Sequence, residues 1–252
     1  MSPKITVIAV LAIFLFGCGS NPPPPSSAAS TQKAEQKTEV VHTWPNVIKT
    51  EKPVSVSQNL VTKNYVLVFD GSGSMGDTSC GGGRPRIEPA KEAALAWIQS
   101  IPSDANVGLV AFHTRQGTWT RIGLSKDRSK IVKAIKSIRA GGNTPLATAF
   151  SKAFNYLTLE GQSQLGYGEY SVVTITDGEA DNIGALSEWV EYILRTTPIQ
   201  IYTIGFCIRT NHTLYQPGRT TYKSANNPEE LARGLQDVLA EAEDFTVQDF
   251  TK

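Results

Sequence analysis

From Tyr65 onward, short apolar runs alternate with segments in which apolar residues recur at helical spacing. The apolar runs predict strands over Tyr65–Phe69, Val107–Phe112, Trp119–Leu124, Tyr170–Thr176, Ile199–Phe206 and Thr221–Ser224. The helical repeats predict helices over Ile87–Ile101, Lys130–Arg139 and Leu146–Leu157, and a last helix that opens at Pro228. This alternation is typical of an α/β fold, in which a mainly parallel sheet carries helices on both faces.

One connection differs from the others. Trp119 follows so soon after Phe112 that a helix has no room between the two strands. We therefore expect a hairpin, and with it one antiparallel edge strand on an open, otherwise parallel, doubly wound sheet.

The N-terminus has the pattern of a secretory signal peptide. Lys4 precedes the uncharged apolar run Ile5–Phe16, which is shorter than the roughly 20 residues of a spanning helix. The run ends in Leu15-Phe16-Gly17-Cys18, which resembles the lipobox of bacterial lipoproteins. That resemblance implies cleavage before Cys18, lipidation of its thiol and amino group, and membrane anchoring through several acyl chains. By the same resemblance, Gly19 favours the outer membrane where the organism has two.

The composition then divides the chain into four parts. We expect a lipoprotein signal peptide over residues 1–17, a lipidated tether over 18–62, a folded domain over 63–245 and a short tail over 246–252. The tether begins with Pro22–Pro25 and is poor in large apolar residues. Its last part, from Val40 to Thr62, contains scattered apolar residues and is expected to lie extended against the domain.

Charge argues against a nucleic-acid partner. The 252 residues carry a formal net charge of +1, and no block of Lys or Arg interrupts the even mixture of signs. Such a chain lacks the basic footprint that a phosphate backbone requires. Recognition of a charged partner must therefore be local.

Oxygen-bearing side chains follow two of the predicted strands. Asp70-Gly71-Ser72-Gly73-Ser74 comes directly after the first strand, Asp177-Gly178 follows another, and Thr144 lies in the loop before Pro145. The carboxyl ends of parallel strands share one edge of a sheet, where ligands bind near the reversal of strand order. Carboxylates and hydroxyls are hard ligands that suit Mg²⁺, Mn²⁺ or Ca²⁺, and no thiolate or imidazole pair lies beside them. The pattern predicts a divalent-metal site.

These positions resemble the metal-ion-dependent adhesion site of von Willebrand factor type A domains, over roughly Asn64 to Ala242. All five family positions are present: Asp70, Ser72, Ser74, Thr144 and Asp177. The resemblance implies that the hydroxyls bind the metal directly and that the aspartates act partly through water. It further implies that an Asp or Glu of a protein partner completes the coordination shell. The expected function is thus adhesion or assembly of an envelope complex, with neither a catalytic residue nor a small-molecule substrate.

Two other functions stay open at this point. Gly71, Gly73 and Gly76 also fit the dinucleotide fingerprint, which would make the protein a nucleotide-binding enzyme if a helix opened within the loop. Other members of the resembled family work beside ring-shaped ATPases, although those act in the cytosol.

The remaining cysteines are Cys80 and Cys207. Both follow predicted strands and are expected at the same rim of the sheet, in a compartment that permits disulfides. A bridge and two free buried thiols are both compatible with the sequence.

Overall fold

The computed structural model describes residues 44–46, 48, 50, 53–113, 118–208 and 212–243. The predicted signal peptide, Cys18, most of the tether and the C-terminal tail lie outside the described residues. Within them, no helix is both long enough and apolar enough to cross a bilayer.

Six strands form one sheet in the order β3-β2-β1-β4-β5-β6. All neighbouring pairs are parallel except β2 and β3, which form the expected antiparallel hairpin at one edge. The predicted α/β fold class is confirmed. The strands are β1 Lys63–Gly71, β2 Asn106–His113, β3 Thr118–Ser125, β4 Glu169–Thr176, β5 Gln200–Phe206 and β6 Thr221–Ala225.

The described residues contain five α-helices, of which the first four connect strands and the fifth follows the last strand, and one short 3₁₀ helix over Gly73–Gly76. The fourth α-helix was not predicted from the sequence, although Leu186, Val190 and Ile193 recur there at helical spacing and are all buried. Its start is fixed by Asn182, whose side chain accepts a hydrogen bond from the backbone N–H of Ala185. The α-helices are α1 Ile87–Ser100, α2 Ser129–Ser137, α3 Leu146–Ser163, α4 Ile183–Thr196 and α5 Pro228–Glu243.

The helices bury both faces of the sheet. Residues of α1, α2 and α5 pack on one face, in a cluster that includes Leu67 and Trp97. Residues of α3 and α4 pack on the other, in a cluster that includes Val66 and Phe150. Because β1 lies at the centre and is covered from both sides, its apolar residues follow one another without alternation, as is typical of a buried parallel strand.

The described residues before β1 lie at the end of the sheet where the parallel strands begin. The backbone N–H of Ser57 donates to the carbonyl of Ser163 at 2.8 Å, and the Ser163 hydroxyl donates to the carbonyl of Ser55 at 2.9 Å. The ring of Trp44 meets that of Tyr170 edge to face, with centroids 5.1 Å apart. This segment therefore joins the domain at the edge opposite to the carboxyl ends of the parallel strands.

Candidate metal centre

The site is built where the strand order reverses. β1 pairs with β2 on one side and with β4 on the other, so that Asp70 at the end of β1 lies beside the end of β4. The hydroxyl of Thr176 donates to Oδ2 of Asp70 at 2.6 Å. This bond fixes the carboxylate of Asp70. Asp177, which directly follows Thr176 in the chain, lies at the same site.

The loop after β1 turns sharply around Asp70. The backbone N–H of Ser72 donates to Oδ1 of Asp70 at 2.8 Å, and the fully buried Met75 anchors the 3₁₀ helix that follows. A Cβ on Gly71 would lie 2.7 Å from Cβ of His113 and 2.8 Å from the carbonyl oxygen of Phe112. Only glycine fits at this point, so the backbone passes close to β2 before the serines begin.

The two serines meet the second carboxylate. Ser74 Oγ donates to Oδ1 of Asp177 at 2.7 Å, and Ser72 Oγ lies 3.1 Å from Ser74 Oγ. Neighbouring ligands of an octahedral Mg²⁺ with bonds of about 2.1 Å are about 3 Å apart. The spacing of these oxygens therefore fits a shared small cation.

The loop that contains Thr144 is held against the site through its backbone. The N–H of Gly141 donates to the carbonyl of Gly71 at 2.9 Å, and the N–H of Gly73 donates to the carbonyl of Gly142 at 3.0 Å. On its other side the N–H of Thr144 donates to Oδ1 of Asp181 at 3.0 Å. The loop of Thr144 is thus held against both the loop after β1 and the segment after β4.

Both carboxylates and one of the hydroxyls are buried. Asp70 is 0%, Ser72 2% and Asp177 6% exposed, whereas Ser74 is exposed and Thr144 is partly exposed. Burial raises the pKa of Asp70 to about 6, against hydrogen bonds from Ser72 and Thr176 that lower it. Among the described residues, no three Asp, Glu, His or Cys side chains form a group that would hold a metal. A cation here would depend on hydroxyl oxygens for most of its direct contacts.

Sequence reasoning did not identify Thr176 as part of the site, and it placed Arg86 only among the basic loop residues that could make the surrounding rim favour an acidic partner. Thr176 directly precedes Asp177 in the sequence, but its hydrogen bond to Asp70 depends on the pairing of β4 with β1. Arg86, just before α1, donates from Nη1 to Oδ2 of Asp177 at 2.9 Å. No local signal in the sequence connects Arg86 to a residue so far along the chain.

Arg86 is held at the site by the long loop that precedes it. Its Nε donates to the carbonyl of Ser79 at 3.0 Å, and Nη2 also bonds the Ser79 hydroxyl. The neighbouring Cys80 forms a disulfide with Cys207, and their Cα atoms are 5.8 Å apart. Of the two possibilities left by the sequence, the structure contains the bridge, which ties this loop to the end of β5.

The glycine loop does not lead into a pyrophosphate-binding helix. Gly73 to Gly76 form the 3₁₀ helix, and α1 begins only at Ile87, after a segment of turns. The loop therefore lacks the α-helix N-terminus that the dinucleotide fingerprint requires.

Comparisons with known proteins agree with this geometry. Residues 65–179 match the family model of the von Willebrand factor type A domain. The chain is 24% identical over 216 residues to the uncharacterized protein YwmD of Bacillus subtilis strain 168, which covers 77% of this chain and 91% of YwmD.

Solved structures show the same fold at low sequence identity. The pilus adhesin SpaC of Lactobacillus rhamnosus GG superposes with a TM-score of 0.58 at 15% identity, over 74% of this chain and 31% of SpaC. The match thus spans about a third of that adhesin. The SpRpn10 VWA domain superposes with a TM-score of 0.56 at 14% identity, over 70% of this chain and 95% of that domain. Residues 65–179 thus match a von Willebrand factor type A domain, and the strand order and the shared folds agree with that match.

Proposed function

We propose that the protein is an envelope-anchored binding module that uses a divalent metal, Mg²⁺ in the first instance, to hold an acidic group of a protein partner. The observation that carries this proposal is the position of Ser74 between Ser72 and Asp177: its hydroxyl oxygen lies 3.1 Å from that of Ser72 and 2.7 Å from Oδ1 of Asp177. A protein-interaction role agrees with the von Willebrand factor type A family match and with the fold shared with a pilus adhesin.

The hydroxyl residues and the aspartates would bind the metal in different ways. The hydroxyls of Ser72, Ser74 and Thr144 would hold the metal directly, and the buried Asp70 and Asp177 would hold it through water while orienting the hydroxyls. When bound, the metal supplies a positive charge that attracts a carboxylate. Because hydroxyl ligands are neutral, they leave more of that charge available than a cage of carboxylates would.

The chain's organisation suits a partner beyond the membrane surface. In this proposal Cys18 carries the lipid, and the tether reaches the domain at the edge opposite to the metal centre, where Ser55 and Ser57 contact Ser163. The disulfide between Cys80 and Cys207 agrees with an oxidising compartment outside the cytosol.

The function is tested by capture of envelope proteins on the immobilised protein in 5 mM Mg²⁺, roughly the concentration at which weak magnesium sites fill. We expect a partner that elutes with EDTA and does not bind the Ser72→Ala variant. Retention that ignores both chelation and Ser72→Ala would contradict the proposal. A nucleotide-binding enzyme would instead retain NAD or ATP without added metal.

A further inference from the structure

Arg86 lies at the metal centre but is not one of the five residues expected to form it. Its side chain is 11% exposed and pairs with Asp177, whose side chain is 0% exposed. Within the described residues, this is the one Lys or Arg in an ion pair with either carboxylate of the metal centre. A charge so poorly screened by solvent acts strongly on any ion bound beside it.

The guanidinium is fixed rather than mobile. Besides Asp177 it contacts the carbonyl and hydroxyl of Ser79, and it lies 3.8 Å from Oδ1 of Asp77. Ser79 adjoins the disulfide at Cys80, which attaches this loop to β5. Arg86 therefore keeps its position without depending on Asp177 alone.

The charges at the centre can then be counted. The carboxylates of Asp70 and Asp177 together carry two negative charges when ionised, and Arg86 removes one of them. A divalent ion would bring the centre to one positive charge with Arg86 in place, but only to neutrality without it. A centre with a positive charge attracts a carboxylate, and one that is already partly neutralised attracts a divalent cation less.

We propose that Arg86 is a specificity-determining residue, which weakens uptake of the divalent cation and in exchange strengthens capture of an acidic group by the loaded centre. This inference rests on the proposed metal-dependent function and adds to it a charge that none of the five expected site residues supplies.

The test compares three forms of the purified chain by calorimetric titration with Mn²⁺ alone: wild type, Arg86→Gln and Arg84→Gln. Arg84 is a matched control because it lies in the same loop and its loss changes the net charge equally. It pairs with Glu92 on the surface rather than with the metal centre. We expect about tenfold tighter Mn²⁺ binding for Arg86→Gln and wild-type affinity for Arg84→Gln.

A second titration with sodium acetate follows on the Mn²⁺-saturated proteins. Acetate should bind Arg86→Gln more weakly than wild type, by several-fold. Arg86→Lys keeps the positive charge but not the planar guanidinium group, and it should bind Mn²⁺ with wild-type affinity.

The outcomes separate this inference from the function on which it rests. Equal Mn²⁺ affinities of Arg86→Gln and Arg84→Gln, or weaker binding by Arg86→Gln, would overturn the role of Arg86 while wild-type uptake still supported the metal-dependent function. Uptake by Arg86→Gln but not by wild type would support the role of Arg86 and contradict the function. If no form binds Mn²⁺, both are wrong. If Arg86→Gln folds only with Mn²⁺ present, the acetate titration of the Mn²⁺-saturated proteins decides: weaker acetate binding than wild type supports the role of Arg86, and wild-type acetate affinity would overturn it.

Discussion

The hydrogen bond between Thr176 and Asp70 offers a sharp test of how the centre is built. Replacing Thr176 by Val keeps the shape of the side chain but removes the hydroxyl that donates to Oδ2 of Asp70 at 2.6 Å. The same hydroxyl oxygen lies 3.0 Å from the carbonyl oxygen of Gly178 and accepts from the Gly178 N–H at 3.4 Å, so the variant also removes these longer contacts. Thr176 and Asp70 are both 0% exposed, so water cannot replace the lost donor. A hydrogen bond to a buried charged group contributes about 1.5–3 kcal/mol, and we expect Thr176→Val to lose that amount of the free energy of unfolding.

Thr174 provides the matched control on the same strand. It lies two residues before Thr176, points to the same face of the sheet and is also 0% exposed. Its hydroxyl, however, has no hydrogen-bond partner among the described residues. Thr174→Val removes an unsatisfied buried hydroxyl, so its free energy of unfolding should stay unchanged or rise by about 1 kcal/mol.

The two variants are compared by urea denaturation at pH 8 with EDTA, which removes any contribution from bound metal. This pH is above the pKa of about 6 that burial gives Asp70, so the carboxyl is ionised. In thermal melts, the expected loss for Thr176→Val corresponds to about 3–12 °C for a domain of this size. If Thr174→Val loses as much stability as Thr176→Val, the hydrogen bond is not what holds Asp70, and the reasoning is refuted.

Two further predictions concern the loops around the centre. The disulfide joins residues separated by 127 positions, so replacing Cys80 and Cys207 by Ser should lower the free energy of unfolding by up to about 5 kcal/mol. The loss is measured by urea denaturation, and an unchanged midpoint would show that the bridge does not constrain the unfolded chain. Gly71→Ala should cost about 2 kcal/mol or more, because its Cβ would meet Cβ of His113 at 2.7 Å, whereas Gly73→Ala, with 3.4 Å to its nearest neighbour, should be nearly neutral in the same thermal melt. Equal melting temperatures for the two alanine variants would contradict the close approach to β2.

The sequence was sufficient to predict the sheet because buried parallel strands and amphipathic helices leave direct patterns. It predicted the edge hairpin from a connection too short for a helix, and β3 does pair antiparallel with β2. α4 was not predicted, although Leu186, Val190 and Ile193 recur at helical spacing within it.

The centre was predictable only in part. Asp70, Ser72 and Ser74 lie in one loop directly after a predicted strand, and Asp177 directly follows another. The sequence alone therefore predicts that their side-chain oxygens share one end of the sheet. The roles of Thr176 and Arg86 depend instead on which segments become neighbours in space. Arg86 reaches Asp177 only because the loop before α1 folds back over the edge of the sheet, and no periodicity along the chain encodes that return.

The central claim is that side-chain oxygens from separate segments hold one cation. The most direct measurement is calorimetric titration of the chelator-treated protein with Mg²⁺, beside a Ser72→Ala/Ser74→Ala variant. The account predicts uptake of one ion per chain by the wild type and loss of that uptake in the variant. Absence of uptake by the wild type, or the same uptake by the variant, would contradict it.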